Sequence, residues 1–296
     1  MTSASDSTRL SSYAAISGQR SAANTSQLPS RSISPFGIEI AIDLREPLSR
    51  VRQDAFRDLF YDNEVVVFRN QDLSMMRQLE VMELFGPVLK SSEGKTYLSP
   101  DDGVLGVQSL GFHSDWYFVE FPMQVLSLHA KEIDGASWTS FASMTRAWRR
   151  MPEALRHKVT GRKFINVDYD RLPGVPYEVP QGAWSYAYDI PLLHRVTGRP
   201  YAYAIENYTA RIEGFEPEES AATLAELASY LKAPDNVYKH IWHDGDLVIW
   251  DNQAIQHARP DLNGVKKRRL QRVAIGEKTM EEQAPGFGGI AYVNKT

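Results

Sequence analysis

Two short segments, far apart in the chain, constrain this sequence more than any other feature. Gly111-Phe-His-Ser-Asp115-Trp116 sets His113 two residues before Asp115, and Trp250-Asp-Asn-Gln-Ala-Ile-Gln-His257 carries a second histidine just past a hydrophobic run. In an extended segment, residues i and i+2 point the same way. His113 and Asp115 can therefore face one point, with Ser114 turned away. A fold that carries His257 to that point makes a site of two imidazoles and one carboxylate. Such a set covers one face of an octahedral metal and leaves the other open to ligands.

The triplet gains its weight from context. With seven histidines in the chain, roughly 0.4 His-x-Asp triplets arise from composition alone. The other histidines fit the pattern less well. His129 sits in an alternating strand and reads as a packed or surface residue. His157 lies on a basic helix, and His194, His240 and His243 fall near turns or strand ends. Zinc also accepts two histidines and a carboxylate, so a zinc hydrolase competes with an open iron site. A zinc hydrolase would want a separate general base, and the sequence has no H-E-x-x-H helix. Phosphate-loop, dinucleotide-binding and nucleophile-elbow motifs are also missing.

The 296 residues suit one large domain. We expect a Ser-rich, disordered N-terminal tail over residues 1–34, resembling a transit peptide in composition, and a single domain over 35–296. A formal charge of −4 gives no chain-wide footprint for nucleic acid. The chain has no cysteine, which excludes disulfides and thiolate chemistry and suits a cytoplasmic protein. No apolar run is long enough to span a bilayer, and the N-terminus lacks the apolar stretch of a secretory signal. A homo-oligomer is compatible with all of this.

Hydrophobic periodicity predicts helices over 51–60, 75–85 and 221–232, and another over 143–159 broken at Pro152. Strands are expected at 39–43, 64–68, 124–130, 246–250 and 272–275, with a hairpin over 192–204 turning at Thr197-Gly198. Residues 88–110 read as loop. Residues 160–190, rich in Pro, Gly and Tyr, read as a loop or lid. Early helices and irregularly spaced strands point to an α+β, mainly β fold rather than a βαβ alternation.

From Gly37 to Lys278 the chain resembles the Fe(II)/2-oxoglutarate-dependent dioxygenases of the taurine dioxygenase and 2,4-dichlorophenoxyacetate dioxygenase (TauD/TfdA) type. The resemblance rests on Ile42-Asp-Leu-Arg-Glu-Pro47, Phe85-Gly-Pro87, His113-Ser-Asp115, Thr139-Ser-Phe-Ala-Ser-Met144, Tyr208-Thr-Ala-Arg-Ile-Glu-Gly214, Trp250-Asp-Asn252, His257 and a downstream Arg-x-x-x-Arg, in that order. It implies a double-stranded β-helix, or jelly roll, with helices outside. It also implies that His113, Asp115 and His257 bind Fe(II), that Thr139 and Arg268 hold 2-oxoglutarate, and that Arg272 lies near the substrate or the C1 carboxylate. Guanidinium suits a dianionic cosubstrate, because it clamps carboxylates bidentately. Arg269 leaves the register of Arg268 open by one residue.

The expected reaction uses O2 to oxidise, by default to hydroxylate, a small anionic organic substrate, with release of succinate and CO2. Lys90, Ser91, Trp116, Tyr117 and Arg272 are the candidate substrate contacts. Asn252 and Asp251 are candidates for aiming the metal ligands. Ser91, beside Lys90, falls where the family's sulfonate-binding histidine would be, which argues against taurine. Asp115 keeps the carboxylate that related halogenases replace with a small residue, which argues against halogenation. The second reading is a metal-binding barrel that is not an oxygenase: a zinc hydrolase or a silent ligand-binding module.

Overall fold

The computed structural model describes residues 28–100, 106–168 and 175–286. Two sheets form the centre. The larger runs in the order Ser30–Ser32, Ile38–Ile40, Val65–Phe68, Leu247–Asp251, Val125–Asp134, Lys267–Ile275 and Lys95–Leu98. The smaller runs Val237–Ile241, Trp138–Ser143, Ile255–Arg259 and Leu110–His113. All neighbours are antiparallel except Ile38–Ile40 and Val65–Phe68, which run parallel. The two sheets share one buried layer, the jelly-roll arrangement that the resemblance implies.

Alternation along the strands assigns each side chain to a layer. Val248 and Trp250 join Leu126, Phe141, Leu270 and Ala274 between the sheets. Leu247 and Ile249 join Val273 and Ile275 on the outer face, against Phe56 and Phe60 of helix Arg50–Asn63 and Met82 of helix Met75–Met82. Being buried on both faces explains why 247–250 reads as an unbroken apolar run. On strand Lys267–Ile275 the inward set is Arg268, Leu270, Arg272 and Ala274, so two cations are carried to the interior by the same period that buries the core.

Local chemistry sets the helix ends. Ser74 caps the helix Met75–Met82 by accepting a hydrogen bond from the Arg77 backbone N–H. Pro152 has no N–H to donate, and it separates helix Met144–Arg150 from Glu153–Val159. Helix Pro217–Leu231 starts earlier than its apolar pattern suggests, with Pro217 in its first turn. These last helices pack with Tyr188, Tyr201 and Tyr203 in a further core on one flank of the roll.

Three expected irregular regions carry regular structure. Ser30–Ser32, expected as tail, is a strand on Ile38–Ile40, with Arg31 clamped bidentately by Glu39 at 2.9 Å. Residues 1–27 lie outside the described residues. In the expected 88–110 loop, Ser91–Gly94 is a helical turn and Lys95–Leu98 is an edge strand on Lys267–Ile275. In the expected 160–190 lid, Lys163–Val167 and Ser185–Asp189 form a sheet with Thr209–Ile212, while residues 169–174 lie outside the described residues. These strands are short, and their partners are remote in sequence. Pairing creates them, and local periodicity cannot announce them.

The outer helix layer supports the larger sheet through Phe56, which meets Phe68 and Phe85 edge-on at 5.3 Å each. Phe56→Ala should lower unfolding free energy by about 3–5 kcal/mol, as for other fully buried aromatic truncations. Denaturant unfolding checks this, and a loss under about 1 kcal/mol would contradict it.

Candidate metal centre

The metal residues meet where two strands of the smaller sheet pair. His113, the last residue of Leu110–His113, is the register partner of His257 in Ile255–Arg259. Their ring centroids lie 4.3 Å apart. Asp115 follows in the turn beyond the strand, and three bonds fix that turn. Ser114 Oγ donates to the Ile255 carbonyl at 2.9 Å. The Asp115 N–H donates to Asn252 Oδ1 at 2.9 Å, and Asn252 Nδ2 donates back to the Asp115 carbonyl at 3.0 Å. Asn252 Nδ2 also reaches the Met123 carbonyl at 2.7 Å. Trp116 then turns the chain through the left-handed region, with φ 63°, where a non-glycine residue costs roughly 1–2 kcal/mol.

Both imidazoles aim Nε2 at one carboxylate oxygen. Asp115 Oδ1 lies 3.5 Å from His113 Nε2 and 3.6 Å from His257 Nε2. One donor atom from each residue falls within 4.8 Å of the other two. His113 Nδ1 lies 2.8 Å from the Gly111 carbonyl. Taken as the donor there, Nδ1 leaves the Nε2 lone pair for a metal. Burial, followed by the neighbouring His113 ring, pushes His257 down to about 3, so its ring is neutral. Burial raises the Asp115 carboxyl, but the neighbouring His113 ring and the Arg272 guanidinium outweigh it and hold the group ionised. Two neutral imidazoles and a carboxylate are the forms a divalent metal needs. Their spacing alone does not choose between iron and zinc.

The neighbouring strand faces supply the second half of the site. Arg268 points inward and is 4 % exposed, while Arg269 points outward and covers the Tyr97 ring at 4.3 Å. Of the two, only Arg268 is on the buried face. Arg268 has no carboxylate partner among the described residues. Its Nη2 lies 3.5 Å from Thr139 Oγ1, and its Nε is buried without a hydrogen-bond partner. Thr139 Oγ1 also accepts from Trp242 Nε1 at 2.9 Å. Burial, then the charge of Arg259, pulls Arg268 down to about 9. A buried cation beside another cation is costly unless an anion joins it. Arg268 and Thr139 therefore fit the far carboxylate of a dicarboxylate chelating the metal.

The other expected residues divide. Arg272 Nη2 donates to Asp115 Oδ2 at 2.7 Å and its Nη1 to the Glu93 carbonyl at 3.0 Å, which ties the 91–94 turn to the centre. Lys90 is exposed, and among the described residues no contact joins it to the triad. Ser91 lies in the helical turn. Trp116 is partly buried between two core clusters, whereas Tyr117 is a core residue against Phe118 and Tyr208. Asp251 does not aim a ligand directly; its Oδ2 is 2.7 Å from His194 Nε2, with both side chains buried. Trp242, Arg259 and Ser114 are parts of the site that the sequence did not single out. Each acts through a partner remote in sequence, so no local pattern marks it.

Residues 26–274 match the family described as Taurine catabolism dioxygenase TauD, TfdA family. The chain is 24% identical over 277 residues to an alkylsulfatase of Acinetobacter baylyi, covering 86% of this chain and 87% of that one. It is 26% identical over 267 residues to the alpha-ketoglutarate-dependent 2,4-dichlorophenoxyacetate dioxygenase of Cupriavidus pinatubonensis, covering 78% and 91%. The fold matches a taurine dioxygenase structure from Burkholderia xenovorans with a TM-score of 0.73, 21% identity and coverage of 85% and 91%.

Asn252→Ala removes both sides of the clamp on Asp115. Fe(II) affinity should fall about 10–100-fold, as is usual when a group that orients a ligand is lost; unchanged affinity in a metal titration would contradict this role. The His194–Asp251 pair predicts a pH effect. Burial opposes protonation of His194, but the Asp251 charge and hydrogen bond prevail and raise its pKa. A raised folded pKa gives stability that is full below the unfolded value of about 6.5 and is lost as pH rises through the folded one. The stability advantage over His194→Asn should therefore shrink as unfolding is measured from pH 6 upward. A constant advantage would rule the pair out.

Proposed function

Because this chain belongs to the TauD, TfdA family of dioxygenases, we propose that it oxidises a small anionic organic substrate at a centre held by His113, Asp115 and His257. It is an Fe(II)- and 2-oxoglutarate-dependent dioxygenase, which sets aside the zinc hydrolase and the silent barrel. The observation that carries our assignment of the site is Arg268: a buried guanidinium without an acid partner among the described residues, beside Thr139 and inward-facing with Arg272. Structure that keeps such a charge in its core has a use for it when an anion arrives.

When bound, Fe(II) and 2-oxoglutarate supply the O2 activation and oxidative decarboxylation that yield succinate and CO2. The chain's own groups bind and orient. His113, Asp115 and His257 would hold the metal. Arg268 and Thr139 would hold the far carboxylate of 2-oxoglutarate and so orient it. Arg272 keeps Asp115 ionised and oriented through Oδ2, while Oδ1 faces the two imidazoles and is left for the metal they would share. The jelly-roll core around Trp250 and Phe141 excludes water behind the centre.

An anionic substrate is supported by two facts. Relatives are named for acting on alkyl sulfates and on 2,4-dichlorophenoxyacetate. Arg272, partly exposed at the rim, has five N–H donors and uses only some of them on Glu93, Asp115 and Met123. Its remaining donors can meet a carboxylate or sulfate head, with Trp116 beside the apolar body. We place the enzyme in the cytoplasm, where 2-oxoglutarate is a common metabolite.

Succinate release across a panel of sulfonates, sulfate esters, aryloxyalkanoates and N-substituted amino acids tests this. Turnover should require Fe(II), O2 and 2-oxoglutarate, and His113→Ala should abolish it. Arg268→Ala should raise the 2-oxoglutarate KM about 10–100-fold, the worth of one charge-assisted pair. Unchanged succinate release in His113→Ala would sink the assignment.

A further inference from the structure

A well-formed cleft lies away from the metal centre. It has a volume of about 680 Å³ and lies between the 30–37 strand turn, the 62–64 turn and the helix Met144–Arg150. The volume is in the range that holds a small organic ligand. Four arginines line it: Arg146, Arg149, Arg156 and Arg199. Only two acids do so, Asp62 and Glu64. In a chain of net charge −4 this is a local reversal of sign.

The arginines are poorly matched by acid. Arg199 takes both: Asp62 Oδ1 at 3.3 Å and Glu64 Oε1 at 3.8 Å. Arg156 donates only to the Trp148 and Arg149 carbonyls. Arg149 is exposed and meets no carboxylate among the described residues. Arg146 lies over the Phe36 ring at 5.4 Å, has a long 3.4 Å bond to the Asp235 carbonyl, and keeps a buried Nε without a hydrogen-bond partner. Burial makes the Arg146 charge harder to hold and Arg149 and Arg150 add to it, offset in part by Glu64. The Glu64 carboxylate oxygens already accept from Ser143 and Thr145, and burial pushes the group toward its neutral form. Phe36, Trp148, Pro35 and Pro200 give the walls apolar surface.

Guanidinium groups facing flat apolar walls recognise a defined chemistry. We propose that this cleft is a second binding site, separate from the metal centre, for an organic anion that joins a carboxylate, sulfate or phosphate group to a flat apolar body. The head pairs with Arg149 and Arg156, which have donors to spare, and with Arg146 Nε. The body lies along Phe36 and Trp148. Strand Trp138–Ser143 runs near both: Phe141 is the register partner of His257, and Ser143 donates to Glu64, which lines the cleft.

Calorimetric titration of the full chain with phenyl phosphate tests the site. Phenyl phosphate should bind at one equivalent, about ten-fold or more tighter than inorganic phosphate, because only the former has an apolar body. Arg149→Ala, an exposed change harmless to the fold, should weaken binding about five-fold or more, and Arg149→Glu with Arg156→Glu should abolish it. Arg272→Ala, at the metal centre, should leave this binding in place. Loss of binding in Arg272→Ala, or full binding in the cleft variants, would overturn the proposal. Equal affinity for inorganic phosphate would overturn the apolar half of it.

Discussion

The reciprocal pair of hydrogen bonds between Asn252 and the backbone of Asp115 is the join on which the centre depends. Asn252 follows the strand Leu247–Asp251 of the larger sheet, whereas Asp115 follows Leu110–His113 of the smaller one. A side-chain amide that both accepts and donates fixes the peptide on each side of Asp115, and its third bond, to Met123, anchors the amide itself. His113 and His257 need no such device, because they are register partners on paired strands. The carboxylate, out on a turn, does need one. Trp116 in the left-handed region marks how sharply the chain bends there.

Charge organises the rest of the centre. Two arginines arrive on one face of a single strand, and their surroundings give them different work. Arg272 meets Asp115 and keeps a ligand ionised. Arg268 meets only a threonine hydroxyl and is left with an unanswered charge in a buried place. The first arrangement is complete within the protein, and we propose that the second is completed by a carboxylate from outside. That asymmetry separates an oxygenase using a dicarboxylate cosubstrate from a plain metal site, which the triad geometry alone does not.

Much of this was legible in the sequence, and the reasons are physical. His113 and the paired arginines lie on strands, where a period of two declares a shared face, whereas Asp115, expected on the same extended segment, sits in the turn beyond it and reaches His113 from there. The helices over 51–60 and 75–85 and the run 246–250 declare themselves by apolar spacing. The strands at 95–98, 163–167 and 185–189 do not, because their stability comes from partners far along the chain. Asn252 was visible as a candidate, but its target was not. Its neighbour Asp251, equally suggestive as a letter, serves His194 instead. Side-chain hydrogen bonds between remote segments leave no periodic trace, so Trp242 and Ser114 were silent.

The central claim is that the triad and Arg268 together make one site for Fe(II) and 2-oxoglutarate. Anaerobic titration of the Fe(II)-loaded protein with 2-oxoglutarate, followed by visible absorption, tests both halves at once. The account predicts a weak, saturable charge-transfer band that is absent in His113→Ala and needs far more 2-oxoglutarate in Arg268→Ala. A wild-type protein that binds iron but develops no band, or a band whose 2-oxoglutarate dependence is indifferent to Arg268→Ala, would contradict it.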